Sequence, residues 1–170
     1  MSKVIVVNRQ DEIIAYKERN DWSTTDVIRV SALWIYNSRN EVLIAQRSLS
    51  KVRSPGLWAM SVAGTVEEGE TYESNILKEA EEEVGLKITK EDLTLAPKNF
   101  IDTEHAYFVQ MYFLKLDLPV TDFIPRVGEV EQVKWISLEE LSTWFAERSQ
   151  DFTPAFKYCL ADFKNFINKK

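Results

Sequence analysis

The chain has 170 residues and a formal net charge of −6, with 27 acidic and 21 basic side chains. A chain of this length can bury one sizeable core, so we expect residues 1–170 to form a single domain. The acidic balance excludes the broad basic face that nucleic acids require, and no apolar run could span a bilayer. One cysteine and no secretory signal favour a cytoplasmic protein that binds neither DNA nor membranes.

Five strands are predicted from runs rich in β-branched and aromatic residues, with turn residues between them. These runs cover residues 27–36, 42–46, 58–63, 107–116 and 130–136. The first two runs are joined by a short turn and so predict a β-hairpin. Strands with helices interleaved at both ends predict an α/β fold, in which helices cover the faces of a sheet.

Three helices are predicted from apolar periodicity and capping residues. Thr71 caps the first helix and Gly85 ends it, with an apolar stripe at Ile76, Leu77, Ala80 and Val84. Ser137 caps the second helix, and Glu140 is its capping-box partner. The third lies near the C-terminus, and its inward residues are Phe156, Leu160, Phe163 and Ile167.

The excess negative charge lies in one segment, residues 64–86, which holds eight glutamates against one lysine. This segment carries −7, so everything outside it sums to +1. On the predicted helix, Glu79, Glu82 and Glu83 share one face, whereas Glu81 points away. Like charges on one face repel each other, and a hard cation such as Mg²⁺ would reverse that repulsion. The alternative is the solvated face of a glutamate-rich helix.

The spacing of this segment resembles the signature of the Nudix hydrolase family, G-x5-E-x7-R-E-U-x-E-E-x-G-U, in which U is aliphatic or similar. The matching residues are Gly64, Glu70, Glu79, Ala80, Glu82, Glu83, Gly85 and Leu86. Lys78 stands where the family has arginine, and lysine offers a point charge without a planar fork. The resemblance covers roughly residues 26–145. It implies the Nudix fold, an α/β/α sandwich around a mixed β-sheet, in a single Nudix hydrolase domain.

The resemblance also implies which residues would bind metal and which would react. Glu82 and Glu83 would be the principal metal ligands, and Glu79 a further ligand or the base that orients the attacking water. The backbone carbonyl of Ala63 would join the metal shell. Glu129 would supply a carboxylate from a facing loop and is the alternative base, unless it is a solvated loop residue. The implied cofactor is Mg²⁺, with Mn²⁺ as an alternative.

Other residues of the segment are expected to shape it or to be solvated. The resemblance gives structural roles to Gly64, Glu70, Lys78 and Gly85, with Glu70 ordering the loop and the helix start. The glutamates expected to be solvated are Glu67, Glu68, Glu73 and Glu81. Outside the segment, the lone histidine, His105, excludes a multi-histidine zinc site. We expect His105 to be structural or solvent-facing, with substrate contact as the alternative.

A basic strip precedes the segment, and its Arg47 and Lys51 resemble the diphosphate-holding residues of isopentenyl-diphosphate isomerase, a Nudix-fold enzyme. Cations there would clamp a phosphate chain opposite the metal-binding glutamates, with plain surface charge as the alternative. The isomerase itself would have a catalytic cysteine at Ala63 and a metal-binding histidine at Thr65. The only cysteine, Cys159, is predicted to be a small core residue, so isomerase chemistry is not expected.

Three functions follow from these residues, in decreasing order of support. The first is a metal-dependent hydrolase that cleaves a diphosphate linkage, in a nucleoside diphosphate derivative or a related small molecule, by water attack at phosphorus. The second is a binding module that holds a nucleotide without hydrolysis, which Lys78 favours. The third is the isomerase. The aromatic candidates for stacking on a base are Trp22, Trp58 and Phe108. The chain would act as a monomer or a homodimer.

Overall fold

The structure, a computed structural model, describes residues 2–169. These residues form nine strands and three α-helices, joined by turns and short 3₁₀ segments. The strands are β1 (Lys3–Val7), β2 (Ile13–Glu18), β3 (Val27–Tyr36), β4 (Glu41–Arg47), β5 (Trp58–Ala59), β6 (Val62–Thr65), β7 (Thr94–Asp102), β8 (Ala106–Lys115) and β9 (Val130–Ser137). The helices are α1 (Tyr72–Val84), α2 (Leu138–Glu147) and α3 (Phe156–Ile167).

All nine strands belong to one mixed sheet that is organised around β3. Strand β8 runs parallel to β3 along its whole length and pairs with β7 on its other side. Short parts of β3 pair antiparallel with β1, β6 and β4 in turn. Strand β4 continues the sheet to β5 and β9. Because β1 and β4 pair with the two ends of β3, the middle of β3 pairs with β6, the strand that leads into α1.

Helices cover both faces of the sheet because successive residues of β3 point to opposite sides. Ala32 and Trp34 face the core beneath α2 and α3. Leu33 and Ile35 face the core beneath α1. The predicted α/β fold, with helices on both faces of a mixed sheet, is confirmed. Within residues 2–169, no helix has the length and apolarity needed to cross a membrane.

Most of the predicted elements are present with bounds close to those expected. Strand β3 has the predicted bounds, β4 and β8 differ from theirs by one residue at each end, and β9 is longer by one residue at its C-terminal end. The side chain of Thr71 accepts a hydrogen bond from the backbone of α1, and Ser137 does the same for α2. Glu140 completes the predicted capping box of α2. Gly85 ends α1 in the left-handed conformation, with φ of 70°.

The single strand predicted over residues 58–63 is wrong, because two strands lie there instead. Strand β5 pairs with β4, whereas β6 pairs with β3. Between them, Ser61 donates a hydrogen bond from Oγ to the Leu43 carbonyl at 2.6 Å and accepts one from the Ile35 backbone N–H at 2.8 Å. These bonds hold the chain where it changes partners. Strands β1, β2 and β7 were not predicted.

Candidate active site

A cavity of about 460 Å³ opens where β6, α1 and the loop after β4 meet. Its walls include two glutamates of α1, the last residues of β6, two basic residues near the end of β4 and a glutamate just before β9. The sequence-predicted residues among them are Arg47, Lys51, Ala63, Gly64, Glu79, Glu83 and Glu129. The fold therefore brings acidic and basic candidates from distant parts of the chain to one cavity.

Helix α1 lies close against β6 at Gly64. A Cβ atom at Gly64 would lie 2.3 Å from Cγ and Cδ of Glu79, so only glycine leaves room for that side chain. One turn further, Oε2 of Glu83 accepts a hydrogen bond from the backbone N–H of Ala63 at 3.3 Å. Asn75 donates to Oε1 of Glu79 at 3.4 Å from the preceding turn. Both carboxylates are thus positioned by the strand they face and by their own helix.

Burial raises the pKa values of the two cavity glutamates. Removal from water raises the pKa of Glu79 to about 7, and Glu82 nearby adds to the effect. Removal from water raises the pKa of Glu83 to about 8, with a further contribution from the Glu79 carboxylate. Two acidic groups that share one cavity cannot both ionise cheaply, so protonation or a bound cation would relieve the repulsion.

We expect the melting temperature of the metal-free protein to fall as pH rises from about 5 to about 8. Over that interval the unfolded chain has released the protons of Glu79 and Glu83, whose ordinary pKa is 4.5, whereas the folded protein still holds them. The folded state binds more protons, so the free energy of unfolding decreases as pH rises. Calorimetry at several pH values measures this. The double variant Glu79→Gln, Glu83→Gln should flatten the slope, and an equal slope in both proteins would contradict the assignment.

Glu82, the third predicted ligand on this helix, lies outside the cavity lining. Its side chain is 43% exposed and pairs with Arg126 at 3.2 Å. Glu81 is also exposed and pairs with Lys87 at 3.1 Å. In the part of the chain that the structure describes, no three acidic, histidine or cysteine side chains are gathered closely enough to form a metal cluster. The inward acidic group on α1 is therefore the pair Glu79 and Glu83.

The donor set in the cavity still fits a hard divalent cation. Mg²⁺ is bound in many proteins by one or two carboxylates, with waters and substrate phosphates as its other ligands. Glu79 and Glu83 supply two carboxylates whose shared burial disfavours ionisation without a cation. Ala63 and Glu129 lie in the same lining. Waters and substrate phosphates would supply the remaining ligands of such a site.

One ion pair and several hydrogen bonds arrange the opposite, basic wall. Lys51 forms a salt bridge with Glu129, and both side chains are partly exposed. The backbone N–H of Ser48 donates to the Glu129 carbonyl at 3.0 Å and holds that residue beside the loop. Arg47 donates to the Arg53 carbonyl from Nε at 3.2 Å and from Nη2 at 3.0 Å. The loop after β4 is therefore folded so that its cations face the cavity.

Glu67 was expected to be solvated, and this expectation is wrong. Its residue is only 9% exposed, because three donors converge on its carboxylate. Ser2 donates to it at 2.7 Å, Arg19 at 2.9 Å and Lys78 at 3.3 Å. These donors hold the pKa of Glu67 below its ordinary value despite the burial, which alone would raise it. Glu68, Glu73 and Glu81 are exposed, as expected.

Lys78 braces the loop before α1. Its Nζ donates to Oε1 of Glu70 at 2.8 Å, and its second partner is Glu67. The other oxygen of Glu70 accepts from the Glu67 backbone N–H and from Asn75, both at 2.9 Å. The single charged nitrogen of Lys78 therefore bridges the carboxylates of Glu67 and Glu70. Arg19 adds a guanidinium group to the same network from the end of β2.

Arg19 was not singled out from the sequence, and Trp22 was named only as one of three aromatic candidates for stacking on a base. Arg19 and Trp22 follow β2, and the N-terminal hairpin brings them to the site. Strand β1 is tied to the loop before α1, since the Glu68 backbone N–H donates to the Lys3 carbonyl at 2.8 Å. Arg53 stacks on Trp22, with its guanidinium carbon 3.8 Å from the ring centroid. The basic strip was the sequence signal for Arg53 and the aromatic side chain was the signal for Trp22, whereas no sequence signal pointed to Arg19.

A second cavity of about 380 Å³ lies beside the first and shares part of its wall. Of the three aromatic residues considered for base stacking, only Trp22 lines either cavity. Trp58 is buried against Trp144, with ring centroids 5.6 Å apart, and Phe108 packs on Phe100 at 5.0 Å. His105 lines the second cavity and contacts Trp22 edge-on, with centroids 5.1 Å apart.

The family profile described as NUDIX domain matches residues 25–156. The chain belongs to the Nudix family. This confirms the resemblance drawn from residues 64–86. Among solved structures, this Nudix domain is similar to DR0079 from Deinococcus radiodurans, with a TM-score of 0.71 and 29% identity. That similarity covers 85% of this chain and 89% of the Deinococcus chain.

Curated relatives of this Nudix domain include both an isomerase and a hydrolase. An isopentenyl-diphosphate Delta-isomerase of Enterobacter sp. (strain 638) is 36% identical over 142 residues, covering 81% of this chain and 78% of the isomerase. An uncharacterised Nudix hydrolase of Listeria innocua serovar 6a is 30% identical over 122 residues, covering 72% of this chain and 69% of the hydrolase. Overall similarity therefore does not distinguish the isomerase activity from the hydrolase activity, and the side chains of the site are needed for that distinction.

The site of this Nudix domain lacks a thiol where the isomerase resemblance would require one. Ala63 and Thr65 line the cavity at the positions expected to carry cysteine and histidine in an isomerase. Cys159 is completely buried in the core beneath α2 and α3, as predicted. Burial also raises the pKa of its thiol to about 12, so it stays protonated. The only cysteine of the chain is therefore not available to the cavity.

Proposed function

We propose that this Nudix domain is a metal-dependent pyrophosphohydrolase that cleaves the diphosphate linkage of a nucleoside diphosphate derivative by water attack at phosphorus. The observation that carries the proposal is one cavity with a partly buried acidic pair on one side and cations on the other. Glu79 and Glu83 form the acidic pair, and Arg47 and Lys51 are the cations. Such an arrangement suits a metal-bound phosphate chain.

The acidic pair would hold the metal, which we propose to be Mg²⁺, with Mn²⁺ as the alternative. Glu83 and Glu79 would be its side-chain ligands, joined by the Ala63 carbonyl, and Glu82 would contribute after leaving Arg126. When bound, the metal supplies positive charge to the phosphates and acidifies water. Glu79 and Glu129 are the two candidates for the base, because both line the cavity. A glutamate side chain can take a proton from water only in its ionised, carboxylate form.

The basic wall would hold the phosphates. Arg47 can offer a planar pair of donors to a phosphate, once its hydrogen bonds to the Arg53 carbonyl are exchanged. Lys51 would exchange its salt bridge with Glu129 for a phosphate oxygen. That exchange would also free the Glu129 carboxylate for water or metal. Binding of a diphosphate is thereby linked to the exposure of a candidate base.

Neither alternative function gains support from the contacts in the site. The isomerase lacks its thiol, since Ala63 occupies the position in question. The binding module was favoured by Lys78, but Lys78 contacts Glu70 and Glu67 rather than the acidic pair. The lysine therefore leaves Glu79 and Glu83 in place. A cytoplasmic location, a diphosphate partner and the monomeric or homodimeric state stay predictions.

A panel of nucleoside diphosphates and their sugar derivatives tests the proposal. We expect hydrolysis with Mg²⁺ or Mn²⁺ and none with excess chelator, because the acidic pair cannot polarise phosphate without a cation. Product release is measured by chromatography. The variants Glu129→Gln and Glu79→Gln assign the base. Loss of rate with unchanged metal affinity in Glu129→Gln identifies Glu129 as the base, whereas a Glu129→Gln variant that keeps its rate leaves Glu79 as the base. Tight binding of a panel member without turnover would replace the hydrolase with the binding module.

A further inference from the structure

Arg19 is a cation of the first cavity to which the proposed function gives no role. It directly follows β2 and lines the same cavity as the acidic pair. Its side chain is 57% exposed, so the guanidinium group is accessible to a molecule that enters the cavity. Arg19 is therefore a candidate ligand-binding residue, in addition to the two cations of the basic wall.

Most hydrogen-bond donors of the Arg19 guanidinium group are free. One nitrogen, Nη2, donates to the Glu67 carboxylate at 2.9 Å. Among residues 2–169, no other protein group accepts a hydrogen bond from this guanidinium. Glu67 does not depend on Arg19 alone, because Ser2 and Lys78 donate to the same carboxylate. The contact with Glu67 thus anchors Arg19 and leaves it N–H groups for a phosphate.

The acidic pair follows strand β6 in order. Glu83 accepts a hydrogen bond from the Ala63 backbone N–H, and Glu79 lies against Gly64, the next residue. The chain then continues for three residues to the glutamate that binds Arg19. The order along this side of the cavity is therefore Glu83, Glu79 and Arg19.

Electrostatic effects agree with this order. Burial dominates the raised pKa of Glu83, and the charge of Arg47 opposes that rise. Burial likewise dominates the raised pKa of Glu79, and the charge of Arg19 is among those that oppose it. The acidic pair therefore has a guanidinium group near each end, with Arg47 nearer to Glu83 and Arg19 nearer to Glu79.

A diphosphate held by Arg47 and Lys51 would lie at the Glu83 end of the acidic pair. Residues four positions apart on a helix are separated by about 6 Å along its axis, so the Glu79 end lies one turn away. Arg19 is at that far end. A phosphate chain that extends past the diphosphate in this direction would meet the free N–H groups of Arg19, and a guanidinium group binds phosphate through parallel hydrogen bonds.

We propose that Arg19 is a phosphate-binding residue that contacts a third phosphoryl group of the substrate. The substrate class is then a linear chain of at least three phosphoryl groups, such as a nucleoside triphosphate, rather than a diphosphate that ends in a neutral group. This inference rests on the proposed function for the position of the first two phosphoryl groups. Arg19 is thus a specificity-determining residue that the N-terminal hairpin brings to the site.

Inorganic pyrophosphate and inorganic tripolyphosphate test the role of Arg19 without any contribution from an organic group. Binding of each to the wild-type protein and to three variants is measured by calorimetry with Mg²⁺. Arg19→Gln removes the charge, and Arg19→Lys keeps a charge without the planar fork. Arg9→Gln is the matched control, because Arg9 lies between β1 and β2, pairs with Asp102 and is outside the cavity lining. Thermal melting establishes that each variant is folded.

We expect the wild-type protein to bind tripolyphosphate about tenfold more tightly than pyrophosphate. Arg19→Gln should weaken the binding of tripolyphosphate about tenfold and that of pyrophosphate less than about twofold. Arg19→Lys should keep part of the preference, and Arg9→Gln should keep all of it. An equal effect of Arg19→Gln on both ligands, as a purely structural role beside Glu67 would produce, would overturn the proposal. So would the absence of any preference in the wild type.

Turnover of ADP and ATP, measured on the same preparations, separates this inference from the proposed function. A preference for tripolyphosphate that depends on Arg19, without hydrolysis of either nucleotide, would support the role of Arg19 and count against the hydrolase. Hydrolysis with the same ratio of kcat/KM for ATP and ADP in wild type and Arg19→Gln would support the hydrolase and overturn the role of Arg19.

Discussion

Replacing Glu83 by glutamine is expected to lower kcat/KM at least about a thousandfold while the protein stays folded. Glu83 accepts a hydrogen bond from the backbone of Ala63 and faces the cavity, so glutamine can fill the same space. The amide carries no charge and would bind the cation weakly. Without the cation, several kcal/mol of charge stabilisation at the phosphates are lost. Steady-state kinetics with Mg²⁺ measure the effect.

The same substitution should stabilise the metal-free protein at alkaline pH. The raised pKa of Glu83, about 8, means that ionising this carboxyl opposes folding. Glutamine removes the penalty, so the melting temperature should exceed that of the wild type above about pH 8 and match it near about pH 5. Glu81→Gln is the matched control, because Glu81 is exposed, lies outside the cavity lining and pairs with Lys87. Equal loss of activity in both variants would show that total charge, rather than the cavity, matters.

Replacing Gly64 by alanine is expected to lower kcat/KM about a hundredfold, because the new methyl group displaces Glu79. The Cβ atom would lie 2.3 Å from two carbons of the Glu79 side chain. That side chain is flexible and can rotate away, so the backbone of β6 and α1 need not move far. The stability cost should stay within about 1–3 kcal/mol, as for other overpacked sites. Kinetics and thermal melting on the same preparation measure both effects.

Gly69→Ala is the control for the Gly64 substitution. Gly69 has φ of +85°, so alanine is strained there, yet no atom of residues 2–169 would lie within 4 Å of its Cβ. We expect a stability loss of about 1 kcal/mol with kcat/KM essentially retained. The pair of variants therefore separates strain in the loop from displacement of the Glu79 carboxylate. If Gly69→Ala lowers the activity of the folded protein as much as Gly64→Ala does, the account of Gly64 is wrong.

The acidic helix was predictable because its determinants are local. Thr71 and Gly85 define its ends, and helical spacing places Glu79 and Glu83 on one face. Spacing could not show that Glu82, on the same broad face, would turn toward Arg126 instead of the cavity. The direction of that face depends on how α1 packs against β6. Gly64 permits this close packing. The resemblance gave Gly64 a structural role, but it did not show that Glu79 lies against it.

The N-terminal contribution to the site could not be predicted, because it depends on long-range pairing. Strand β2 is largely exposed and lacks a clear alternation, so the sequence gives little sign of a strand. Its pairing with β1 brings Arg19 to Glu67, 48 residues away. Glu67 looked like surface charge in an acidic loop, and only the convergence of three donors explains its burial. Lys78 is one of these three donors, so its role in bracing the loop before α1 also depends on this network.

The proposed hydrolysis is tested most directly by running the nucleotide panel in oxygen-18 water with Mg²⁺. We expect one labelled oxygen in a phosphate product, because water attacks phosphorus and the diphosphate linkage breaks. The label should be absent with chelator and strongly reduced in Glu83→Gln. Conversion of a diphosphate without incorporation of the label, or no conversion of any panel member with either metal, would contradict the assignment of this cavity as a hydrolytic site.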